Sequence, residues 1–271
     1  ADPQGPAIGW GTGCGGDDCG ASSISGAPFH LKYIRLDNTA VGQQDNPINI
    51  GGVVAPGIIT ITKDAVPDDP QDFAFTSASL GGFSLDDDPG DGTLPNTVTF
   101  TSLTQGAYSV AETVPAGWDL TSLACVDPDN GATTDLVTAT ASIDVDPGES
   151  ITCTYTNTKR GHIIVSKETD PDGDPQSFNF DASGGSYADF SLSDGQSNNQ
   201  ELAPGSYSVA ETVPVGWDPT SAVCDDDDST NPGTLTLDPG EIIHCTFTNT
   251  KHQPAIAIAK SADVSSAGHG N

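Results

Sequence analysis

Short stretches of alternating apolar and polar residues recur along this chain, separated by turns rich in Asp, Pro and Gly. The clearest stretches lie at residues 29–36, 73–75, 98–100 and 178–180. Successive side chains of a β-strand point to opposite faces, so this period of two predicts strands with one buried face. No segment has the periodicity of an amphipathic helix. The pattern therefore predicts an all-β protein, with many short strands arranged as in a sandwich or a barrel.

The same pattern occurs twice along the chain. Residues 108–118 read Tyr-Ser-Val-Ala-Glu-Thr-Val-Pro-Ala-Gly-Trp, and residues 207–217 repeat them with one change, Val for Ala. The run Cys-Thr-aromatic-Thr-Asn-Thr-Lys likewise occurs at 153–159 and at 245–251. Self-similarity at a fixed period indicates tandem copies of one domain. We expect a Gly-rich head with short strands at 1–56, β-sandwich repeats at 57–160 and 161–251, and a tail at 252–271.

The tail repeats the beginning of a domain. In the tail, small residues alternate with Ile256, Ile258 and Lys260. The first strand of each repeat likewise has alternating aliphatic residues and ends in Lys. A first strand without the rest of its domain presents an unpaired edge. We therefore predict a donor strand that adds to a sheet of the next subunit, with the short strands of residues 29–54 as the acceptor.

Three polar residues share the apolar faces of predicted strands in each repeat. Counting in steps of two along the strands places Lys63, Glu112 and Asn157 in line with apolar neighbours. The second repeat has the same residue types at matching positions, namely Lys167, Glu211 and Asn249. Burial drives Lys towards its neutral form and Glu towards its protonated form.

A neutral amine next to an amide is suited to amide-bond formation with loss of ammonia, provided that a carboxylic acid moves the protons. The alternative is a buried Lys–Glu ion pair with the Asn as a hydrogen-bond partner. Desolvation of an unreacted pair is costly, which favours the covalent bond.

This ordered combination resembles the SpaA/Cna-B-like family of prealbumin-fold domains, which occur in bacterial surface adhesins and pilus subunits. The shared pattern is a Lys in the first strand, Tyr-x-Val-x-Glu followed by Pro-x-Gly-aromatic, and a terminal Thr-Asn. It covers most of residues 57–251. The resemblance implies Ig-like β-sandwiches whose isopeptide bonds are promoted by Glu residues. By this resemblance the bonds are Lys63–Asn157 and Lys167–Asn249, and the promoters are Glu112 and Glu211. The cysteine pairs and the Trp after Gly depart from the commonest pattern.

Six cysteines form three local pairs, and two of the pairs lie at equivalent places in the repeats. The pairs are Cys14–Cys19, Cys125–Cys153 and Cys224–Cys245. This arrangement predicts three disulfides and an oxidising, extracellular location. In the chain-entropy model, closing loops of the size found in the repeats stabilises a domain by about 3–4 kcal/mol. The Cys-x-x-Cys spacing of zinc sites is absent.

Clusters of acidic residues lie on loops bent by Pro or Gly. Calcium takes six to eight oxygen ligands, which such loops can supply. The run Asp-x-Asp-x-Asp at residues 170–174 is nearest to a calcium-type spacing. We expect calcium on at least one of these loops, with solvated acidic turns or a surface adapted to salt as the alternatives. The candidate ligands are Asp86, Asp88, Asp91, Asp127, Asp129, Asp170, Asp172, Asp174, Asp225 and Asp227.

The charge of the chain excludes several functions. Lys and Arg total 8 against 38 Asp and Glu, a formal net charge of −30. Binding to nucleic acid or to an anionic membrane surface needs basic residues, so neither partner is expected. No apolar run is long enough to span a bilayer. A chain that begins Ala1-Asp-Pro without Met is expected to be a mature secreted product. The many Ser and Thr residues leave O-glycosylation open.

Catalysis on an external substrate is not expected. The five histidines show no metal-ligand spacing, and no Ser/His/Asp or Cys/His arrangement is evident. We therefore predict an extracellular structural protein, the repeating subunit of a fibre or pilus-like filament that polymerises with itself. The alternative is a monomeric cell-surface stalk, or an adhesin fragment of a longer multi-repeat protein, in which the tail begins a third domain.

Overall fold

The computed structural model describes the strand backbones at residues 29–36 and 39–48, and residues 55–253 apart from 89, 91 and 93. Every regular element in this part of the chain is a β-strand, so the prediction of an all-β fold is confirmed. The chain divides between Lys159 and Arg160 into two compact units. We call the sandwich within residues 57–159 domain 1 and the sandwich within 161–251 domain 2.

The head contains a two-stranded antiparallel hairpin. Strand β1, Phe29–Leu36, pairs with β2, Thr39–Ile48. The sequence predicts β1 with these bounds, whereas it places the next short strand at residues 47–50. Strand β2 begins earlier because its polar residues 44–46, like residues 39 and 40, pair through the main chain with β1. Alternation of side-chain types does not report such pairing.

Domain 1 consists of two sheets. Its described strands are β3 Gly57–Val66, β4 Phe73–Thr76, β5 Phe83–Leu85, β6 Thr97–Leu103, β7 Gly106–Thr113, β8 Trp118–Val126, β9 Thr133–Asp135, β10 Thr140–Val145 and β11 Ser150–Lys159. One sheet has the order β6-β3-β11-β8 and the other the order β5-β4-β7-β10-β9. The first and last strands, β3 and β11, are parallel neighbours at the centre of the first sheet.

Domain 2 repeats this plan with fewer strands. Its described strands are β12 Gly161–Asp170, β13 Phe178–Ser183, β14 Phe190–Leu192, β15 Ser197–Leu202, β16 Gly205–Thr212, β17 Trp217–Cys224, β18 Leu235–Leu237 and β19 Ile242–Lys251. The sheet orders are β15-β12-β19-β17 and β14-β13-β16-β18. The first and last strands, β12 and β19, are again parallel neighbours. The structure thus has the two tandem prealbumin-like sandwiches that the sequence predicts.

Each sandwich has its own hydrophobic core, built from alternate residues of its strands. In β3 every second residue from Gly57 to Ala65 is buried. Ile59, Ile61 and Phe75 are among the fully enclosed side chains of domain 1. Burial of one such side chain stabilises the fold by about 1.5–3 kcal/mol. The period of two continues to Lys63, so the rule that buries the isoleucines also carries this lysine into the core.

The turn between β7 and β8 explains the Pro-x-Gly-Trp motif. The amide of Trp118 donates to the carbonyl of Pro115 at 3.3 Å, and Gly117 has a φ of 80°. Pro115 and Gly117 are the first and third residues of this β-turn, and a positive φ at the third position favours Gly. The turn brings the Trp118 ring onto Phe73 with 5.2 Å between centroids, which closes the end of the core next to Lys63.

Candidate cross-linking site

Lys63 and Asn157 meet on neighbouring strands of one sheet in domain 1. The Nζ atom of Lys63 donates to Oδ1 of Asn157 at 3.0 Å. It also donates to the main-chain carbonyl of Asp64 at 2.7 Å and to that of Tyr155 at 3.2 Å. Lys63 and Asn157 are completely buried. These three acceptors fix the amine against the side-chain amide of Asn157.

Glu112 reaches the same point from the opposite sheet. Its Oε1 lies 3.9 Å from Nζ of Lys63, and both side chains are enclosed. In the described part of the chain, neither carboxylate oxygen of Glu112 forms a hydrogen bond, and Nδ2 of Asn157 forms none either. Buried polar groups without partners are rare and costly. Nδ2 is also the group that would leave if Lys63 and Asn157 condensed.

The surroundings shift both titrating groups towards their neutral forms. Burial lowers the pKa of Lys63 to about 8, although the negative charges of Glu112, Asp64 and Asp87 oppose the change. Burial raises the pKa of Glu112, while the Lys63 ammonium and the nearby Asn157 side chain offset part of the rise. The ring of Phe73 covers the amine, with 4.0 Å from Nζ to the centroid. An uncharged amine is the form that can attack an amide carbon.

Domain 2 brings the equivalent residues together with a different internal arrangement. Nζ of Lys167 lies 3.5 Å from Oε1 of Glu211 and donates to the carbonyls of Glu168 and Phe247. Burial lowers the pKa of Lys167, with Glu211 opposing. Asn249 is fully buried, yet neither polar atom of its amide has a hydrogen-bond partner among the described residues. The amine in domain 2 is therefore directed at the carboxylate and not at the amide.

A disulfide joins the last strand of each domain to its antiparallel neighbour. Cys125 on β8 is bonded to Cys153 on β11, and Cys224 on β17 is bonded to Cys245 on β19. In each case the two cysteines face each other in the strand register. The last strand of each domain therefore pairs on one side with the strand that carries the candidate lysine. On its other side it is joined by the disulfide to its antiparallel neighbour. The predicted pair Cys14–Cys19 lies outside the described residues.

One acidic cluster has the geometry to hold a metal ion. Carboxylate oxygens of Asp127, Asp129 and Glu149 all lie within 4.8 Å of one another. The sequence predicts the two aspartates as ligands but misses Glu149, which lies in the turn before β11. The Asp-Pro-Gly-Glu run at 146–149 recurs before the last strand of domain 2, at residues 238–241, which indicates a turn at this place and does not mark Glu149 as a ligand.

The structure does not bring the other acidic candidates into comparable groups within the residues it describes. Asp174 instead pairs with Lys251 at 2.7 Å, although residues 170–174 have the calcium-type spacing. Asp225 accepts from the main-chain amide of His244 at 2.5 Å, and the main-chain amide of Asp88 donates to Asp86 at 3.0 Å. The other candidates in the described chain, which also belong to no such group, are Asp170, Asp172 and Asp227. Asp91 and the donor strand of Ile256, Ile258 and Lys260 lie outside the described residues.

A protein family matches both domains. The family model of the SpaA-type prealbumin-like fold domain matches residues 59–159 and, separately, residues 163–251. The chain belongs to this family. Each matched stretch contains one complete Lys–Glu–Asn set and one disulfide. No described helix of this family member is long and apolar enough to cross a membrane.

Solved structures with a similar fold include pilus proteins, all at low sequence identity. The major pilin T-13 of Streptococcus pyogenes is 13% identical with a TM-score of 0.31, over 72% of this chain and 97% of that one. The Bacillus anthracis TIE protein is 17% identical with a TM-score of 0.30, over 78% and 39%. A C-terminal fragment of the pilus adhesin SpaC from Lactobacillus rhamnosus GG is 15% identical with a TM-score of 0.29, over 74% and 99%. No curated protein matches the chain.

Proposed function

We propose that this chain is an extracellular structural protein, the repeating subunit of a fibre or pilus-like filament. The observation that carries the proposal is the buried Lys–Glu–Asn set, which both domains contain. In each domain the set joins the first strand to the last strand, which are neighbours in one sheet. A covalent bond there prevents the two strands from separating under tension. Such a bond suits a protein that must withstand force and proteases.

The bond forms within each domain without an added cofactor or oxidant. In domain 1 the neutral Nζ of Lys63 attacks Cγ of Asn157, so that the Nζ–Cγ bond forms and the Cγ–Nδ2 bond breaks. Nδ2 leaves as ammonia. The carboxyl group of Glu112 takes up the proton released by the attacking amine and supplies one to the leaving group. Lys167, Asn249 and Glu211 have the same roles in domain 2, with Lys167 first turning from the carboxylate to the amide.

Composition and disulfides support an extracellular location. Both described disulfides need an oxidising environment to form and persist. The net charge of −30 keeps copies of the chain soluble and opposes binding to nucleic acid. The partner that we propose is another copy of the same chain, and a contact between copies has to overcome this repulsion.

Neighbouring subunits are joined by strand donation from tail to head. The tail residues Ile256, Ile258 and Lys260 have the alternation of a first strand. The head hairpin of β1 and β2 has only two strands in the described chain, and such hairpins are marginally stable alone. Main-chain hydrogen bonds to an added strand complete such a sheet. A head-to-tail contact of this kind need not close into a ring, so it propagates into a filament.

Electron microscopy of the purified chain tests this function. Negative staining should show uniform thin fibres for the full chain, and separate particles for a chain that ends at Gln253. The double variant Ile256→Asp, Ile258→Asp keeps the full length and should also abolish fibres, because it places charge on the apolar face of the donor strand. Separate two-lobed particles from the unaltered chain would contradict the filament and favour a cell-surface stalk or adhesin fragment.

Calcium on the acidic loops stays a prediction. The cluster of Asp127, Asp129 and Glu149 is the place to test it, because in the described chain these three residues place ligand oxygens within 4.8 Å of one another. Adding calcium should raise the melting temperature of domain 1 beyond the effect of magnesium at the same ionic strength. An Asp127→Asn variant should lose that difference, and equal effects of the two ions would argue for screening alone.

A further inference from the structure

The two domains differ at one position next to the cross-linking site. Tyr155 on β11 and Phe247 on β19 are equivalent residues in the register with the reactive lysines. Their rings pack in the same way, edge-on to Phe75 and to Phe180, with 5.1 Å between centroids in both domains. Both main-chain carbonyls accept from the lysine Nζ at 3.2 Å. At this position the domains differ only in the hydroxyl group of Tyr155.

That hydroxyl connects the two sheets of domain 1. It donates to the main-chain carbonyl of Val110 at 2.7 Å and accepts from the main-chain amide of Ala141 at 3.2 Å. Val110 on β7 and Ala141 on β10 face each other in the strand register. Burial raises the pKa of Tyr155, so the hydroxyl keeps its proton and remains a donor.

Val110 lies two residues before Glu112 on the same face of β7, and Tyr155 lies two residues before Asn157 on β11. The hydroxyl therefore ties the strand that carries the promoter to the strand that carries the amide. Each end of this hydrogen bond therefore lies two residues from a reactive side chain, Glu112 on β7 and Asn157 on β11. A tether at this place sets how far the carboxyl group of Glu112 lies from Nζ of Lys63.

Domain 2 lacks this tether and has a different arrangement of its reactive groups. Strand β18 pairs with β16 only over Gly205–Tyr207, whereas β10 pairs with β7 along Gly106–Ala111. On that side Val209, the equivalent of Val110, is met by the segment before β18 and not by a paired strand, and its main-chain amide donates to the carbonyl of Pro232 at 2.8 Å. In domain 1 the amine donates to the amide oxygen of Asn157, while the amide of Asn249 has no hydrogen bond.

We propose that Tyr155 is a positioning residue for self-cross-linking, and that domain 1 closes its bond before domain 2. This inference rests on the proposed function, because it presumes that both domains condense Lys with Asn. A nucleophile held in near-attack geometry reacts faster, and a displacement of about 1 Å can cost up to a hundredfold in rate. The hydroxyl group of Tyr155 hydrogen-bonds to the main chain of Val110 and Ala141, not to the side chains of Lys63 and Asn157. It acts through the strands that hold Glu112 and Asn157.

The test follows bond formation in the full chain made by cell-free synthesis under oxidising conditions. Samples are quenched at intervals and digested, and mass spectrometry measures the linked Lys63–Asn157 and Lys167–Asn249 peptides separately. In the unaltered chain the bond of domain 1 should form first. Tyr155→Phe should slow that bond by about tenfold to a hundredfold and leave the bond of domain 2 unchanged, so that domain 2 serves as an internal standard.

Tyr108→Phe is the matched control. Tyr108 lies on the same strand as Glu112, and its hydroxyl donates to the carbonyl of Thr104 at 2.9 Å, away from the reactive groups. This variant should cross-link at the rate of the unaltered chain. In all samples the Cys125–Cys153 disulfide reports folding, because Cys153 lies on the same strand as Tyr155.

Two results would overturn the role of Tyr155. One is cross-linking of Tyr155→Phe at the unaltered rate. The other is a parallel loss of the disulfide and the cross-link, which would show that the hydroxyl serves only folding. If neither domain of the unaltered chain ever loses ammonia, the cross-link itself fails and this inference fails with it. Both linked peptides and the disulfide are measured in the same samples, so these three outcomes can be distinguished from one another.

Discussion

Lys63 is an amine enclosed in a hydrophobic core, held by one side-chain amide and two main-chain carbonyls. Its position could be predicted from the sequence, because steps of two from Ile59 and Ile61 lead to it. The repeat strengthened that prediction, since Lys167 occupies the matching place. The hydroxyl contacts of Tyr155 could not be predicted. They depend on how the two sheets of the sandwich are placed against each other. The alternation of residues along one strand gives no information about the distance between sheets.

Replacing Glu112 with Gln should abolish the proposed Lys63–Asn157 bond in domain 1 alone. The amide of Gln has nearly the shape of the carboxyl group but cannot move the protons. After correction for the mass change of the substitution itself, the intact mass should then be one ammonia heavier than that of the unaltered chain. Lys63 and Asn157 are 94 residues apart, so loss of this closure should reduce the free energy of unfolding by about 4–5 kcal/mol in the chain-entropy model.

Glu211→Gln is the control for that variant, and it should remove only the bond in domain 2. Peptide mapping distinguishes the two variants. Retention of the Lys63–Asn157 bond in Glu112→Gln would show that Glu112 has no part in the reaction.

The unreacted lysine should make stability depend on pH. In an Asn157→Ala variant Lys63 keeps its amine, whose pKa is about 8 in the folded chain against 10.5 for an ordinary Lys. Between these values the unfolded chain holds a proton that the folded chain has lost, so the free energy of unfolding rises with pH across this window. The difference corresponds to about 3 kcal/mol. Below pH 8 the contribution of Lys63 should be constant.

Urea unfolding at several pH values measures this effect. The reference is the double variant Lys63→Met, Asn157→Ala, which lacks the amine and should show no such rise. Parallel curves for the two variants would mean that burial does not lower the pKa of Lys63. If the proposed bond forms, the unaltered chain should also lack the rise, because its amine is then part of an amide.

At the scale of elements, alternation predicts the strands that bury one face, including the edge strand β6, and misses strands whose side chains are exposed on both faces. The strands β3, β7, β11 and β19 are evident in the sequence because their buried positions alternate regularly. Strand β17 is not, since six successive residues between Trp217 and Cys224 are exposed. It even contains Pro219, which an edge strand tolerates and a central strand does not. Main-chain pairing to β19 and the disulfide hold this strand in place.

Each disulfide should stabilise its own domain without being needed for the cross-link. Cys125 and Cys153 are 28 residues apart, which corresponds to about 3–4 kcal/mol in the chain-entropy model. The double variant Cys125→Ala, Cys153→Ala should lower the melting temperature of domain 1 and still form the Lys63–Asn157 bond. The reason is that the bond joins β11 to β3, on the side away from β8.

The matched control for that variant is the double variant Cys224→Ala, Cys245→Ala, which should affect domain 2 only. Calorimetry gives the stability of each domain, and peptide mapping gives the cross-link. Loss of the Lys63–Asn157 bond together with Cys125–Cys153 would show that the disulfide, and not the sheet, brings the reactive residues together.

At the scale of the whole molecule, the charge sets how stability responds to salt. With 38 acidic residues against 8 basic ones, the compact chain repels itself. Raising sodium chloride towards 1 M shortens the Debye length to about 3 Å and should raise the melting temperature. Choline chloride should act equally, because screening is not specific to the ion. A melting temperature that does not change with salt would mean that the charges are already paired or too dispersed to interact.

We propose that both domains of this chain lock themselves with a bond between their first and last strands. The intact mass of the purified, reduced chain tests it most directly. We predict a mass lower than that of the sequence by two ammonia molecules, with linked peptides at Lys63–Asn157 and Lys167–Asn249. The full sequence mass, with no linked peptide, would contradict the claim and leave two buried Lys–Glu ion pairs in its place.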